Sequence, residues 1–140
     1  MIESNPRANH PTLPALWTAR VVGTLTVLFL VFDAVGKFLK PEPVADAFAR
    51  LGLPLALAPA IASLLLILVV LYGIPRTRIL GAILLTGYLG GAIAVNLRAG
   101  DPAFETLFPG IIGMLVWLPP YLLDERLRSV VPFVTESRVP

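Results

Sequence analysis

Three stretches of the chain contain no charged residue: the 25 positions between Arg50 and Arg76, the 19 between Arg78 and Arg98, and the 18 between Glu105 and Asp124. A helix of about 20 mostly apolar residues crosses the hydrocarbon core of a bilayer, so each stretch fits one crossing. A further apolar region, Leu13 to Phe38, is long enough for another, although it carries Arg20 near its start and Asp33 near its end. Only 12 residues separate those charges, which puts one or both at an interface or against the protein interior. The pattern predicts spans near 16–38, 54–74, 79–97 and 104–123. A soluble helix would show a polar stripe at a period of 3.6 residues. Between Ala56 and Leu71, by contrast, every residue except Ser63 is Ala, Ile, Leu, Val or Pro. The expected fold is an all-α membrane protein: an antiparallel bundle of four transmembrane helices in one domain covering residues 1–140, with polar tails at 1–12 and 132–140.

The connections add detail. Gly73–Arg78 is so short that it forces the second and third spans into an antiparallel hairpin. Pro41–Gly52 reads as a short amphipathic helix between the first two spans, started by Pro41 and Pro43, with Val44, Phe48 and Leu51 on one face and Gly52 as its stop. It is expected to lie on the membrane surface or cap the bundle. Pro54 should occupy the opening turn of the second span, and Pro59, a turn later, should bend it. The third span carries a stripe of small residues, Gly87, Gly90, Gly91 and Ala94. In lipid such residues let backbones approach closely. The stripe serves either packing inside the bundle, which a four-helix bundle needs in any case, or a homodimer seam.

An even number of spans puts both termini on one side, together with the Gly73–Arg78 turn. That side holds Arg7, Arg20, Arg76, Arg78, Arg126, Arg128 and Arg138, against Lys37, Lys40, Arg50 and Arg98 on the other. The excess of positive charge places the termini in the cytoplasm of a multi-pass cell-membrane protein. Trp17, Tyr72, Trp117 and Tyr121 fall at the same end, as an interfacial aromatic belt would. The segment after Arg20 lacks a small-residue cleavage site and leads into a charged loop, so it reads as a span and not as a removable leader.

Composition supports lipid as the main solvent. Hydrophobic residues make up 56% of the 140, charged residues 14%, and the mean hydropathy is +0.82, whereas soluble domains carry about 25% charged residues. A chain this small could not bury so much apolar surface within itself. With no Cys there are no disulfides, iron–sulfur clusters or thiolate sites, and the single His10 in a polar tail argues against haem or a multi-His metal centre. No metal or covalently held cofactor is expected. A net charge of +2 gives nucleic acid no reason to bind.

The residues also carry a resemblance. Ile74-Pro-Arg-Thr-Arg through Thr86-Gly-Tyr-Leu-Gly-Gly-Ala, followed by Asn96-Leu-Arg-Ala-Gly-Asp-Pro, is similar to the central hairpin of the DoxX-like family. Phe32-Asp-Ala-Val-Gly-Lys-Phe, Leu51-Gly-Leu-Pro, Leu107-Phe-Pro and Trp117-Leu-Pro-Pro-Tyr-Leu-Leu-Asp-Glu-Arg-Leu-Arg extend it from Trp17 to Pro132. The resemblance implies a four-helix integral membrane protein. The wider superfamily includes a subunit of a thiosulfate:quinone oxidoreductase, a membrane component of redox defence, and eukaryotic chaperones or cargo receptors. It therefore implies either an accessory component of membrane redox metabolism that binds a small amphiphile such as a quinone or lipid, or a non-catalytic scaffold for other membrane proteins. In either case the chain is at most a subunit of a quinone-linked oxidoreductase and not an independent enzyme. Many relatives carry His where this chain has Asn96, so a proton relay does not transfer.

Candidate chemistry gathers at one end of the bundle. Asp33 and Lys37 are one helical turn apart, acid first, the better order for an ion pair. Asn96 and Arg98 close the third span on the same side, followed by Asp101 and Glu105. Antiparallel packing would gather Asp33, Lys37, Asn96 and Arg98 beneath the 41–52 segment. They would form either an interfacial salt-bridge cluster that seals the bundle or a polar pocket for the head of an amphiphile. Arg20 is expected to pair with Asp124 or Glu125 at the other end. Tyr88 and Thr86 could line a cavity, or simply bond a backbone carbonyl. Broken midplane helices and internal repeats, the marks of a transporter, are missing from the sequence. The lipid bilayer, a second copy or a redox partner protein are the expected associates.

Overall fold

The first helix starts at a proline and ends before one. In the computed structural model, which describes residues 12–125 and Leu127, α1 covers Leu13–Leu39, with Pro14 in its first turn. Lys40 caps it in the left-handed conformation (φ 49°), its N–H bonded to the Gly36 carbonyl at 2.9 Å. Pro41 then opens α2, Glu42–Arg50, the predicted amphipathic segment, which buries Phe48. The remaining helices are α3 (Ala58–Gly73), α4 (Arg78–Ala99) and α5 (Ala103–Leu123). The two tails apart from Thr12 lie outside the described residues. So do His10, Arg7, Arg126, Arg128 and Arg138, on which the charge count partly rests.

Four segments are long and apolar enough to cross a membrane: Leu13–Leu39, Leu55–Gly73, Arg78–Ala99 and Ala103–Leu123. They form an up-down-up-down ring in which α1 packs on α3 and α5, and α4 packs on the same two, so α1 and α4 stand diagonally opposite. The centre is filled by Leu30, Leu65, Leu85, Val116 and their neighbours. Phe29 meets Phe108 edge-on at 5.7 Å between α1 and α5. At most 33% of any span's apolar window is buried within the protein, and side chains such as Phe32 (76% exposed) and Met114 (68%) point outward. In water these would be a severe liability; in hydrocarbon they meet their own kind. The chain is an integral, multi-pass membrane protein.

Three expectations change. Pro54 and Pro59 do not share one helix: Leu55–Leu57 is a 3₁₀ turn, and α3 begins only at Ala58, with Pro59 in its first turn. There the missing N–H costs nothing, and no bend is needed. Tyr72 is not part of an interfacial belt. It is buried, and its hydroxyl donates to the Val116 carbonyl of α5 at 2.9 Å. That carbonyl needs a donor because Pro120, four residues on, has no N–H to give it. Trp17, by contrast, is exposed.

The small-residue stripe is the third correction. Gly87, Gly90, Gly91 and Ala94 all lie on the exposed face of α4, and a Cβ built on any of the three glycines meets nothing within 4 Å. The stripe therefore takes no part in packing inside the bundle. The close approach falls instead to Gly81, where a Cβ would lie 2.5 Å from the Tyr72 Cα and 2.8 Å from the Leu71 carbonyl carbon. Only glycine lets α4 touch the backbone of α3 just after the hairpin turn. Thr77 closes that turn by donating to the Leu71 carbonyl at 2.7 Å. Gly81→Ala should destabilise the protein by about 1–3 kcal/mol, the usual range for overpacking. Gly87→Ala should be neutral or stabilising by up to about 1 kcal/mol through helix propensity. Unfolding in mixed micelles compares the two directly.

Candidate functional site

The polar end of the bundle is built from the last turns of α1 and α4, the first turn of α5, and α2 above them. Asp33 and Lys37 lie on successive turns of α1, and the Lys37 ammonium donates to the Asp33 carboxylate. The Lys37 side chain is only 16% exposed, whereas Asp33 is 39% exposed. The acid thus remains approachable while the base is held inside. Tyr88 packs, half-buried, against the core from the diagonally opposite α4.

Asn96 and Arg98 do not join this pair. The Asn96 amide donates across to the Glu105 carbonyl of α5 at 2.8 Å. Pro109 explains the bond: lacking an N–H, it leaves the carbonyl four residues earlier without its helical donor, and a buried unpaired carbonyl is costly. Arg98 reaches the other way, its Nη2 donating to the Leu51 carbonyl at 2.9 Å, just past α2. Arg50 at the end of α2 pairs with Asp101 in the α4–α5 loop, Nε to Oδ1 at 3.2 Å. The Asp101 side chain is 3% exposed, and its Oδ2 is buried without a hydrogen bond among the described residues. Two cation-based latches therefore fasten α2 over the end of the bundle. The predicted four-residue cluster separates into a structural pair, Asn96 and Arg98, and a half-open pair, Asp33 and Lys37.

Other expected residues also find their places. Arg20, on the second turn of α1, is exposed. Asp124 accepts a hydrogen bond from the Leu127 N–H at 3.3 Å. Thr86 donates to the Ala82 carbonyl at 2.8 Å and accepts from the Trp117 indole at 2.8 Å, tying α4 to α5 on their outer side. The role of Arg50 was not anticipated. Its distance of 51 positions from Asp101 hides the pairing, although the short α2 that presents it is readable from the prolines and Gly52.

Two cavities are lined by α4 and α5 and not by Asp33, Lys37, Asn96 or Arg98. An apolar groove of about 640 Å³ runs between the helices on their outer side, and a polar pocket of about 550 Å³ lies at the hairpin end. Among the described residues no group of three or more His, Asp or Glu side chains is placed to hold a metal ion.

The proline account of Asn96 is testable by a double-mutant cycle. Asn96→Leu alone should cost about 1–2 kcal/mol, the scale of leaving one carbonyl unpaired at a membrane helix interface. In a Pro109→Ala background, where residue 109 regains its N–H, the same change should cost only a few tenths. Equal costs in both backgrounds would refute it.

No curated protein and no solved structure matches the chain. The model of the DoxX-like family matches residues 21–118, which take in α2, α3 and α4 and most of α1 and α5. With its four-helix membrane fold, the chain belongs to the DoxX-like family.

Proposed function

We propose that this protein is an accessory component of membrane redox metabolism that binds the polar head of a small amphiphile, a quinone by preference, at Asp33 and Lys37. The observation that carries the reading is a lysine–aspartate pair within the last two turns of a membrane helix, with the lysine largely buried and the carboxylate still open. Ionisable groups at such depth are expensive, and they mark binding sites more often than surface pairs do. Lys37 has further N–H donors to offer a ring oxygen, and Asp33 has a second oxygen able to take a proton from a hydroxyl. Asn96 and Arg98 keep this end closed by holding α5 and α2 in place. The membership of a quinone-linked oxidoreductase subunit in the wider superfamily favours a quinone over other amphiphiles. The electrons then pass to or from a partner enzyme.

A specific observation supports a second reading, a scaffold that binds other membrane helices. Gly87, Gly90, Gly91 and Ala94 leave a shallow, uncovered face on α4, the kind of surface on which transmembrane helices pair.

Lipid extraction and mass spectrometry of the purified protein decide between them. The redox reading expects quinone enriched several-fold over the bulk membrane and reduced about tenfold by Asp33→Asn or Lys37→Met, with the unfolding midpoint retained. Absence of quinone enrichment, with both variants indistinguishable from the parent, leaves the scaffold.

A further inference from the structure

Helix α2 is held differently from the four spans. Its contacts with them are sparse, and Phe48 is its one buried residue. Val44 rests on the last turn of α1, its Cγ2 3.9 Å from where a Gly36 Cβ would stand. Both polar fastenings lie at the C-terminal end of α2: the Arg50–Asp101 pair and the Arg98 bond to the Leu51 carbonyl. The opposite end has no side-chain cap. Three described residues have positive φ, and all three lie where α2 meets the bundle: Lys40 (49°) before it, Gly52 (66°) after it, and Gly100 (74°) next to Asp101. Lys40 is the costly one, since a side chain crowds the left-handed region that glycine enters freely. The segment thus has a pivot at each end, few contacts between them, and polar fastenings on one side only.

We propose that α2 is a hinged lid that swings on Lys40 and Gly52 and controls access from the aqueous side to the Lys37 ammonium. A lysine in the last turn of a membrane helix ordinarily snorkels into water. Lys37 stays largely buried, because the chain turns back at Lys40 and lays α2 over that turn. The closed position is held weakly. Arg50 is half-exposed, and its Nε stands 3.2 Å from Oδ1 of Asp101 without a second bond to Oδ2. Such a pair falls short of the paired donors that make arginine–carboxylate contacts strong. The buried Oδ2 also carries a desolvation penalty that water removes once α2 lifts. The latch and the cost of closing therefore meet at one carboxylate, which keeps the two positions of the lid close in energy. The proposal deepens the Asp33–Lys37 reading and rests on it only for what enters, the polar head of the amphiphile. The movement itself stands on the pivots and latches.

Spin labels on the full-length protein in lipid nanodiscs test the movement, at Asp46→Cys on α2 and Leu107→Cys on α5, since the chain has no cysteine of its own. Pulsed dipolar spectroscopy should show a major short distance and a minor long one. Arg50→Gln should raise the long fraction about threefold, the scale of one half-exposed ion pair, and adding Arg98→Gln should raise it further. Glu42→Gln, an exposed α2 charge outside both latches, should leave the distribution as it is. Access is read separately. Lys37 and Lys40 are the only lysines in the chain, so acylation by a water-soluble succinimidyl ester, followed by mass spectrometry, reports Lys37 against an internal standard. In Arg50→Gln the Lys37 to Lys40 ratio should rise about threefold, in step with the long fraction. A single distance in every variant, or a ratio that ignores the long fraction, would overturn the proposal. Hydrogen exchange that accelerates in α3 as much as in α2 would do the same, because the opening would then be unfolding of the bundle. Neither readout contains quinone, so a failed quinone enrichment falls on the Asp33–Lys37 reading and not on the lid.

Discussion

A carbonyl without a donor has nowhere to turn in hydrocarbon, and this constraint organises the interior. Helix α5 runs unbroken through Pro109, Pro119 and Pro120, each of which removes an N–H from the helical ladder. Two of the carbonyls so released, those of Glu105 and Val116, are recovered by side chains from neighbouring helices: Asn96 of α4 and Tyr72 of α3. In water such groups would be hydrated at little cost. In a bilayer the alternative is an unsatisfied polar group at several kcal/mol, so the prolines make α5 dependent on its partners. The same bonds that repair the helix also fix which neighbours it has and at what rotation.

The spans were legible because charge avoidance is a property of uninterrupted sequence. The gaps ending at Arg76, Arg98 and Asp124 mark helix lengths without any tertiary knowledge. The α2 cap was legible for a similar reason, since Pro41, Pro43 and Gly52 delimit it locally. What could not be read was rotation about the helix axes. The glycines at 87, 90 and 91 look like a packing face, yet the contact goes to Gly81, and nothing in the spacing announces which way α4 turns. Tyr72 sits at a span end like an interfacial anchor, but its direction depends on a proline 48 positions away.

The same distinction applies to the polar end. Asp33 and Lys37 are four apart on one helix, so their pairing follows from helical geometry alone. Asn96 and Arg98 share an end with them but stand diagonally across the ring, where they serve the backbone of α5 and of the segment after α2. Sequence places residues at a depth; only the ring order decides whether they meet. The outcome is a division of labour in which some charges close the bundle and one carboxylate, that of Asp33, stays partly exposed.

Three of the polar anchors between elements share a property with evolutionary weight. Arg98, Asn96 and Tyr72 all end on main-chain oxygens, those of Leu51, Glu105 and Val116. The side chains of Leu51 and Glu105, which lie outside the core, are therefore free to drift, whereas Val116 is also held by its place at the centre of the bundle. Chain length is not free. A single-residue insertion between an acceptor and its helix would rotate that oxygen by about 100° and carry it away from its donor. Lineages descending from this fold should accumulate replacements at Leu51 and Glu105 while strictly conserving the register between donors and acceptors.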